Sequence, residues 1–303
     1  MAEIKAWLGA FRLRTLPLAL SCIITGSMAA WGSESFSPSI FAWAILTTVL
    51  LQVLSNLAND LGDAEKGTDN ENRLGPARAV QSGVISKEAM KKAVIICGIL
   101  ALFSGVYLLF LAFDSWNLTW LLFFILGLAS ILAAIKYTMG KGAYGYRGLG
   151  DLFVFLFFGL VGVLGAYFLQ TGQIQWHTWL PAVTIGCFSV GVLNLNNMRD
   201  IDNDRDSGKR TLVVSMGLPA ARWYHLSLLL VGWLAMLLFT FENWKSPWQL
   251  LFLVTLPLFI ANGKKAYTHK TPQELIPSLK QLALGTFFFS LTFATGIILA
   301  QWL

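Results

Sequence analysis

The chain has 303 residues, 56% of them hydrophobic and only 13% charged, with a formal charge of +6. That charged fraction is about half that of a soluble domain, and the apolar residues come in long blocks, which argues against a large soluble core and for a polytopic helical membrane protein. Cys22, Cys97 and Cys187 lie one to an apolar block, so no disulfide or metal spacing is present and their role is packing.

Residues 1–15 read as a short amphipathic lead, with Trp7 and Phe11 among Lys5, Arg12 and Arg14, suited to anchoring at the membrane interface. No small-residue cleavage site follows, so no removed signal peptide is expected. Apolar blocks predict nine spans, at about 16–32, 40–58, 93–113, 118–136, 150–169, 179–198, 226–241, 248–262 and 283–302. On this map every Lys and Arg except Lys245 falls on one side. The positive-inside rule makes that side cytoplasmic, with the N-terminus inside and the C-terminus outside. The positive charge is therefore a matter of topology, and no nucleic-acid partner is expected.

Span 2 runs into the polar stretch Asn56 to Gly83, NLANDLGDAEKGTDNENRLGPARAVQSG. On a helix Asn56, Asn59, Asp60 and Asp63 share an arc of roughly 100°. Arg73 and Arg78 follow, separated by a Gly-Pro turn. Taken alone, this is either a hydrophilic loop or carboxylates and cations arranged for a metal bridged to an anion. Spans 4 and 5 are joined by KYTMGKGAYGYRGLGD, which carries Lys136, Lys141, Arg147 and Asp151 among glycines and tyrosines. Such a loop can approach a ligand closely, but it lacks the phosphate-loop pattern, and its ordinary reading is an interfacial loop. Gly159, Gly162 and Gly165 in span 5 fit close helix packing. Span 6 ends in NLNNMRDIDNDRDSGKRTL, where Asn196, Asp200 and Asp204 share a face if the helix continues, and Lys209 and Arg210 follow. Asp202 and Asp206 project away from that face. Lys264, Lys265, Lys270 and Lys280 near spans 8 and 9 fit topology and contact with anionic lipid.

Two clusters of the same build now stand at helix ends on one membrane face. Their donors are hard oxygens without His or Cys, which favours Mg²⁺ over zinc or copper. Mg²⁺ with few carboxylates completes its shell with water and phosphate oxygens, and Lys and Arg nearby supply the remaining neutralisation. A diphosphate with a hydrophobic tail fits, and an allylic isoprenoid diphosphate fits best, because metal and cations stabilise the departing pyrophosphate.

The chain resembles the UbiA-type intramembrane prenyltransferases, and within them the naphthoate branch. The carrying residues are Asn59-Asp60-x-x-Asp63-x-x-x-Gly67-x-Asp69, then Arg73-x-Gly-Pro-x-Arg78, Tyr144-Gly-Tyr-Arg147-Gly-Leu-Gly-Asp151 and Asn196-Asn-x-Arg199-Asp200-x-x-x-Asp204-x-x-x-Gly208-Lys209. The similarity runs essentially end to end and includes LRTLPLAL at Leu13–Leu20. The broader superfamily has an acidic residue where Gly67 stands, whereas the naphthoate branch has Gly there and an Asp two residues later, here Asp69. The resemblance implies an all-α integral membrane fold, residues 1–303 forming a single domain of nine transmembrane helices around a central cavity. It implies Mg²⁺ ligands at Asn59, Asp63, Asp69, Asp200 and Asp204, with turnover depending on Asp63, Asp200 and Asp204. It further implies diphosphate contacts from Lys66, Arg73, Arg78, Asn196, Arg199 and Lys209, and contacts to the aromatic acceptor from Tyr144, Arg147 and Asp151.

The activity so implied is transfer of a polyprenyl group from polyprenyl diphosphate to 1,4-dihydroxy-2-naphthoate, with loss of CO₂ and diphosphate, in a bacterial cytoplasmic membrane. Rivals are a related prenyltransferase with another acceptor, such as 4-hydroxybenzoate, and a secondary transporter, which would place its polar groups nearer the midplane. A CDP-alcohol phosphotransferase would need one D-G-x-x-A-R…G-x-x-x-D-x-x-x-D pattern, which is absent.

Overall fold

The computed structural model describes residues 2–31, 35–68, 74 and 78–302. Among the described residues the chain is helical throughout: α1 (Ala2–Phe11), α2 (Leu16–Trp31), α3 (Pro38–Lys66), α4 (Lys87–Ala112), α5 (Leu118–Lys136), α6 (Gly150–Thr171), α7 (Trp176–Arg199), α8 (Ile201–Asp206), α9 (Leu212–Glu242), α10 (Pro247–Thr268) and α11 (Pro272–Trp302). Nine of these segments are long and apolar enough to cross a membrane, the first of them running through α1 and α2 from Ile4 to Trp31.

Local sequence sets the helix ends. Ser37 caps α3 by accepting from the Ile40 amide, Pro38 occupies the first turn, and Gly67 closes the helix at φ 71°. Ser86 and Asn117 cap α4 and α5 in the same way. Helix α3 extends eight residues past the apolar span expected from sequence, because Asn59, Asp60 and Asp63 are held by neighbouring backbone and hydroxyls and need not leave the helix. Helix α9 likewise begins at Leu212, well before the expected position, with a break at Gly217 (φ 78°, ψ 162°) that precedes Pro219. The second cluster shares one helical face only if its helix continues past Arg199, and the helix breaks there. Asp200 sits at φ −99°, ψ 13°, between α7 and α8. Neighbouring side chains on a helix do not face one another, and Arg199 pairs with Asp200 through this break.

The two halves of the bundle pack differently. In the C-terminal half α7 lies against α6, α9 and α11, and its Phe188 ring meets Trp233, Phe259 and Phe289 at 6.1, 4.5 and 5.4 Å. This half is solid. In the N-terminal half α3 packs on α4 and α5, and α5 turns most of its surface outward, with Leu121, Leu122, Ile125 and Leu132 exposed. Such surface is stable only against lipid. Between α2, α3, α4, α5 and α6 lies a cavity of about 390 Å³, to which α7 adds Leu193. The cavity is thus set to one side of the bundle. Of the three α6 glycines, Gly159 meets Gly186 of α7 and Gly162 meets Cys22 of α2, whereas Gly165 faces open space. All three cysteines are buried and free.

Candidate active site

The C-terminal end of α3 separates its polar residues into two duties. Asn56 donates to the Phe11 carbonyl and the Thr15 hydroxyl, both at 2.9 Å, and so ties α1 to the bundle. Asp60 is buried and accepts from the amides of Ala79 (3.2 Å) and Val80 (3.3 Å), closing the chain that returns from the polar stretch. These two are structural. Asn59 and Asp63 are left for the site.

Asn59 accepts from the Thr138 hydroxyl at 3.2 Å and also lines the cavity. Asp63, 8% exposed, accepts from the Tyr146 hydroxyl at 2.8 Å, and that hydroxyl lies 2.5 Å from Thr68 Oγ1. The Tyr146 ring carries the Lys66 ammonium 4.0 Å from its centroid, with Lys209 at 5.6 Å. Close backbone approach brings these parts together. A Cβ on Gly62 would come within 2.5 Å of Thr138 Oγ1, and one on Gly145 within 2.7 Å of the Tyr137 carbonyl, so both positions require glycine.

The second cluster meets the first through two hydrogen bonds and one cation–ring contact. Asn203 donates to the Thr68 carbonyl at 3.1 Å, the Arg210 amide donates to the Tyr146 carbonyl at 3.1 Å, and Lys209 shares the Tyr146 ring with Lys66. Asp204 is 2% exposed, its Oδ1 is 3.4 Å from Lys209 Nζ, and its Oδ2 is buried with no hydrogen-bond partner. Burial pushes the Asp204 carboxyl up to about 6, against the pull of Lys209. Burial also opposes the charge of Lys209, but Asp204 and Asp63 outweigh it and hold the ammonium above its ordinary range. Arg199 donates to both carboxylate oxygens of Asp200, from Nε at 2.8 Å and Nη2 at 2.5 Å, and from Nη2 to Asn196 Oδ1 at 2.9 Å. In this state Arg199 and Asn196 serve Asp200 and are not free for an anion. Asp202 is solvated and pairs only with exposed Arg205.

Not every expected residue converges. Asp69 and Arg73 lie outside the described residues. Arg78 stands at the turn that Asp60 closes. Tyr144 lines the cavity, stacks on Phe153 at 3.9 Å and donates to the Ala133 carbonyl at 2.9 Å. Arg147 is exposed and packs over Gly142 in a surface cleft that Lys66, Lys141 and Tyr146 also line. Asp151 is buried in the first turn of α6 with an unpartnered Oδ1, and it is not among the cavity-lining residues. The three expected acceptor contacts are therefore in three different places.

Sequence reasoning passed over Tyr137, Tyr146 and Thr138. Tyr137 lines the cavity within electrostatic reach of Lys209, Asp63, Asp151 and Asp204, and burial pushes its phenol up to about 12. The only signal in the sequence was tyrosine density in a glycine-rich loop.

Among the described residues no three acidic, His or Cys side chains converge as a ready metal group. The donor chemistry nonetheless fits Mg²⁺ held partly by a ligand's own oxygens: hard oxygen atoms on both clusters, including the buried orphan Oδ2 of Asp204. A polar mouth of carboxylates and lysines opens beside an apolar cavity, and Asn59 belongs to both. That arrangement suits an amphiphile with an anionic head and a greasy tail.

A model described as the UbiA prenyltransferase family matches residues 19–292. The chain is 42% identical to the 1,4-dihydroxy-2-naphthoate octaprenyltransferase of Escherichia coli (strain K12), over 100% of this chain and 98% of that protein. It is 41% identical to the protein of the same name from Haemophilus influenzae, over 98% and 97%. Among solved structures it is similar to the apo form of a UbiA homolog from Aeropyrum pernix K1, with a TM-score of 0.71 and 16% identity over 96% of this chain and 99% of that one. A UbiA homolog from Archaeoglobus fulgidus bound to DMAPP and Mg²⁺ matches with a TM-score of 0.59 and 16% identity over 98% and 100%. At such identities the structures speak for the fold, while the sequence matches run from end to end, and the chain belongs to the UbiA prenyltransferase family.

Proposed function

We propose that the protein transfers a polyprenyl group from an allylic polyprenyl diphosphate to 1,4-dihydroxy-2-naphthoate, with release of CO₂ and diphosphate, giving demethylmenaquinol for menaquinone synthesis. The observation that carries this reading is the junction at Asn59, where the polar mouth and the apolar cavity meet. The substrate assignment is supported by the names of the full-length relatives at 42% and 41% identity.

In this reading Lys66 and Lys209, both close to the Tyr146 ring, face the diphosphate, and Tyr146 holds Asp63 in place. Asn59, Asp63, Asp200 and Asp204, with Asp69 beyond the described residues, would hold Mg²⁺; when bound, the ion neutralises the charge that develops on the leaving diphosphate. The apolar cavity takes the tail and keeps water from the allylic carbon. The stacked rings of Tyr144 and Phe153 line that cavity and can offer their faces to positive charge on it. Asp200 becomes available to a metal once Arg199 turns from it to the diphosphate, so that one residue answers the other. The chain would act in the bacterial cytoplasmic membrane with its N-terminus and both clusters on the cytoplasmic side.

The test uses membranes containing the protein, labelled polyprenyl diphosphate, dihydroxynaphthoate and Mg²⁺. A prenylated, decarboxylated naphthol that disappears with EDTA is the expected result. Full activity in EDTA, or prenylation of 4-hydroxybenzoate in its place, would overturn the metal or the acceptor assignment respectively.

A further inference from the structure

The outer end of the cavity is built from rings. Phe123, in the second turn of α5, lines the cavity. Its ring is backed by Phe113 at 5.6 Å, from the end of α4, and by Phe168 at 5.1 Å, from the last turns of α6, and those two rings are 6.3 Å apart. Phe124 beside it also lines the cavity and stacks on Trp120 at 5.4 Å. At the same outer level Gln170 accepts from the Ser37 amide at 2.7 Å, which fixes α6 to the start of α3. Three helices are thus drawn together by rings below a cavity that elsewhere keeps them apart.

Depth follows from helix geometry. Cavity-lining residues run along α3 from Asn59 to Ala44 and along α5 from Tyr137 to Phe123. At a rise of 1.5 Å per residue these distances are about 21–23 Å. An extended isoprene unit adds four chain bonds of ~1.5 Å, or roughly 5 Å of length. The space between the diphosphate mouth and the rings therefore holds about four units.

We propose that Phe113, Phe123 and Phe168 form the floor of the tail cavity and make Phe123 the residue that sets how many isoprene units are enclosed, a longer tail having to bend out of the bundle at a cost in affinity. This rests on the prenyl diphosphate reading above and deepens it. Removing the Phe123 ring lengthens the cavity by about one unit. Gly127 offers the opposite change, since it lines the cavity one turn above Phe123 and a Cβ there meets nothing within 4 Å. A leucine at 127 adds apolar volume one turn above the rings, starting from a Cβ with room around it.

The experiment gives the protein in lipid nanodiscs an equimolar mixture of three-, four- and five-unit prenyl diphosphates with dihydroxynaphthoate and Mg²⁺, and reads product ratios by mass spectrometry. Phe123→Ala should raise the five-to-four ratio about tenfold, and Gly127→Leu should lower the four-to-three ratio about tenfold, the lower end of what a mismatched apolar pocket discriminates. The same ratios are measured by competitive binding of the corresponding uncleavable thiolodiphosphates. No prenylated naphthol from any variant, with the binding ratios shifted as stated, refutes the acceptor reading and keeps the floor. Ratios within twofold of wild type in both variants overturn the floor, whatever the chemistry.

Discussion

Tyr146→Phe isolates one atom of the site. The hydroxyl it removes donates to Asp63 at 2.8 Å and lies 2.5 Å from Thr68 Oγ1, while the ring beneath Lys66 and Lys209 stays. A hydrogen bond to a charged group is worth about 1.5–3 kcal/mol, and Asp63 is only 8% exposed, so water replaces little of it. At 1.4 kcal/mol per factor of ten, kcat/KM for the prenyl diphosphate should fall roughly 10- to 100-fold. The Mg²⁺ concentration for half activation should rise with it, because the carboxylate is no longer aimed. Tyr146→Leu removes the ring as well and should cost a further ~0.5–2 kcal/mol from the two cation–ring contacts. The assay is steady-state transfer in nanodiscs across a Mg²⁺ series, with thermal unfolding as the control for folding. Turnover and Mg²⁺ dependence of Tyr146→Phe within twofold of wild type would show that Asp63 abandons Tyr146 in the working state, and would refute the positioning role.

Asp63→Ala and Asp200→Ala should each abolish turnover while the protein still inserts and folds; retained activity in either removes that residue from the metal site. Asn56→Ala should lower stability by about 1–3 kcal/mol, since two partly buried hydrogen bonds to the Phe11–Thr15 segment are lost; protease sensitivity of the N-terminal segment should rise, and an unchanged melting profile would contradict the latch. Mg²⁺ activation should weaken as pH falls through about 6, where Asp204 takes a proton that the ion must displace. The sign follows from a folded value above the unfolded 3.8: between pH 4 and 6 the metal-free protein holds a proton the unfolded chain lacks, so acid stabilises it there and opposes metal. Equal half-activation concentrations at pH 5 and pH 7.5 would exclude Asp204 from the metal set.

Much of this protein was legible from its residues. Long apolar blocks with few charges can only be helices across lipid, because lipid leaves backbone groups no other partners, and nine spans follow from counting them. The asymmetry of Lys and Arg and the two Asn/Asp clusters were equally plain, and they carried the family resemblance. Spacing, however, put Asn56, Asn59, Asp60 and Asp63 on one face without saying what each would meet. Only the folded chain brings the Phe11 carbonyl to Asn56 and the Ala79 and Val80 amides to Asp60, while Asn59 meets Thr138 and Asp63 meets Tyr146. Likewise Tyr144, Arg147 and Asp151 are close in sequence, yet the turns between them send one to the cavity, one to the surface and one into the helix packing. Tyr146, which joins the two clusters, sits inside the Tyr144–Asp151 motif, but nothing local gives its role, because its partners are 78 and 83 residues away along the chain. Local sequence determined the elements and their faces; which side chains meet, and how deep the cavity runs before Phe123 closes it, are properties of contacts between distant segments, and those exist only once the bundle has formed.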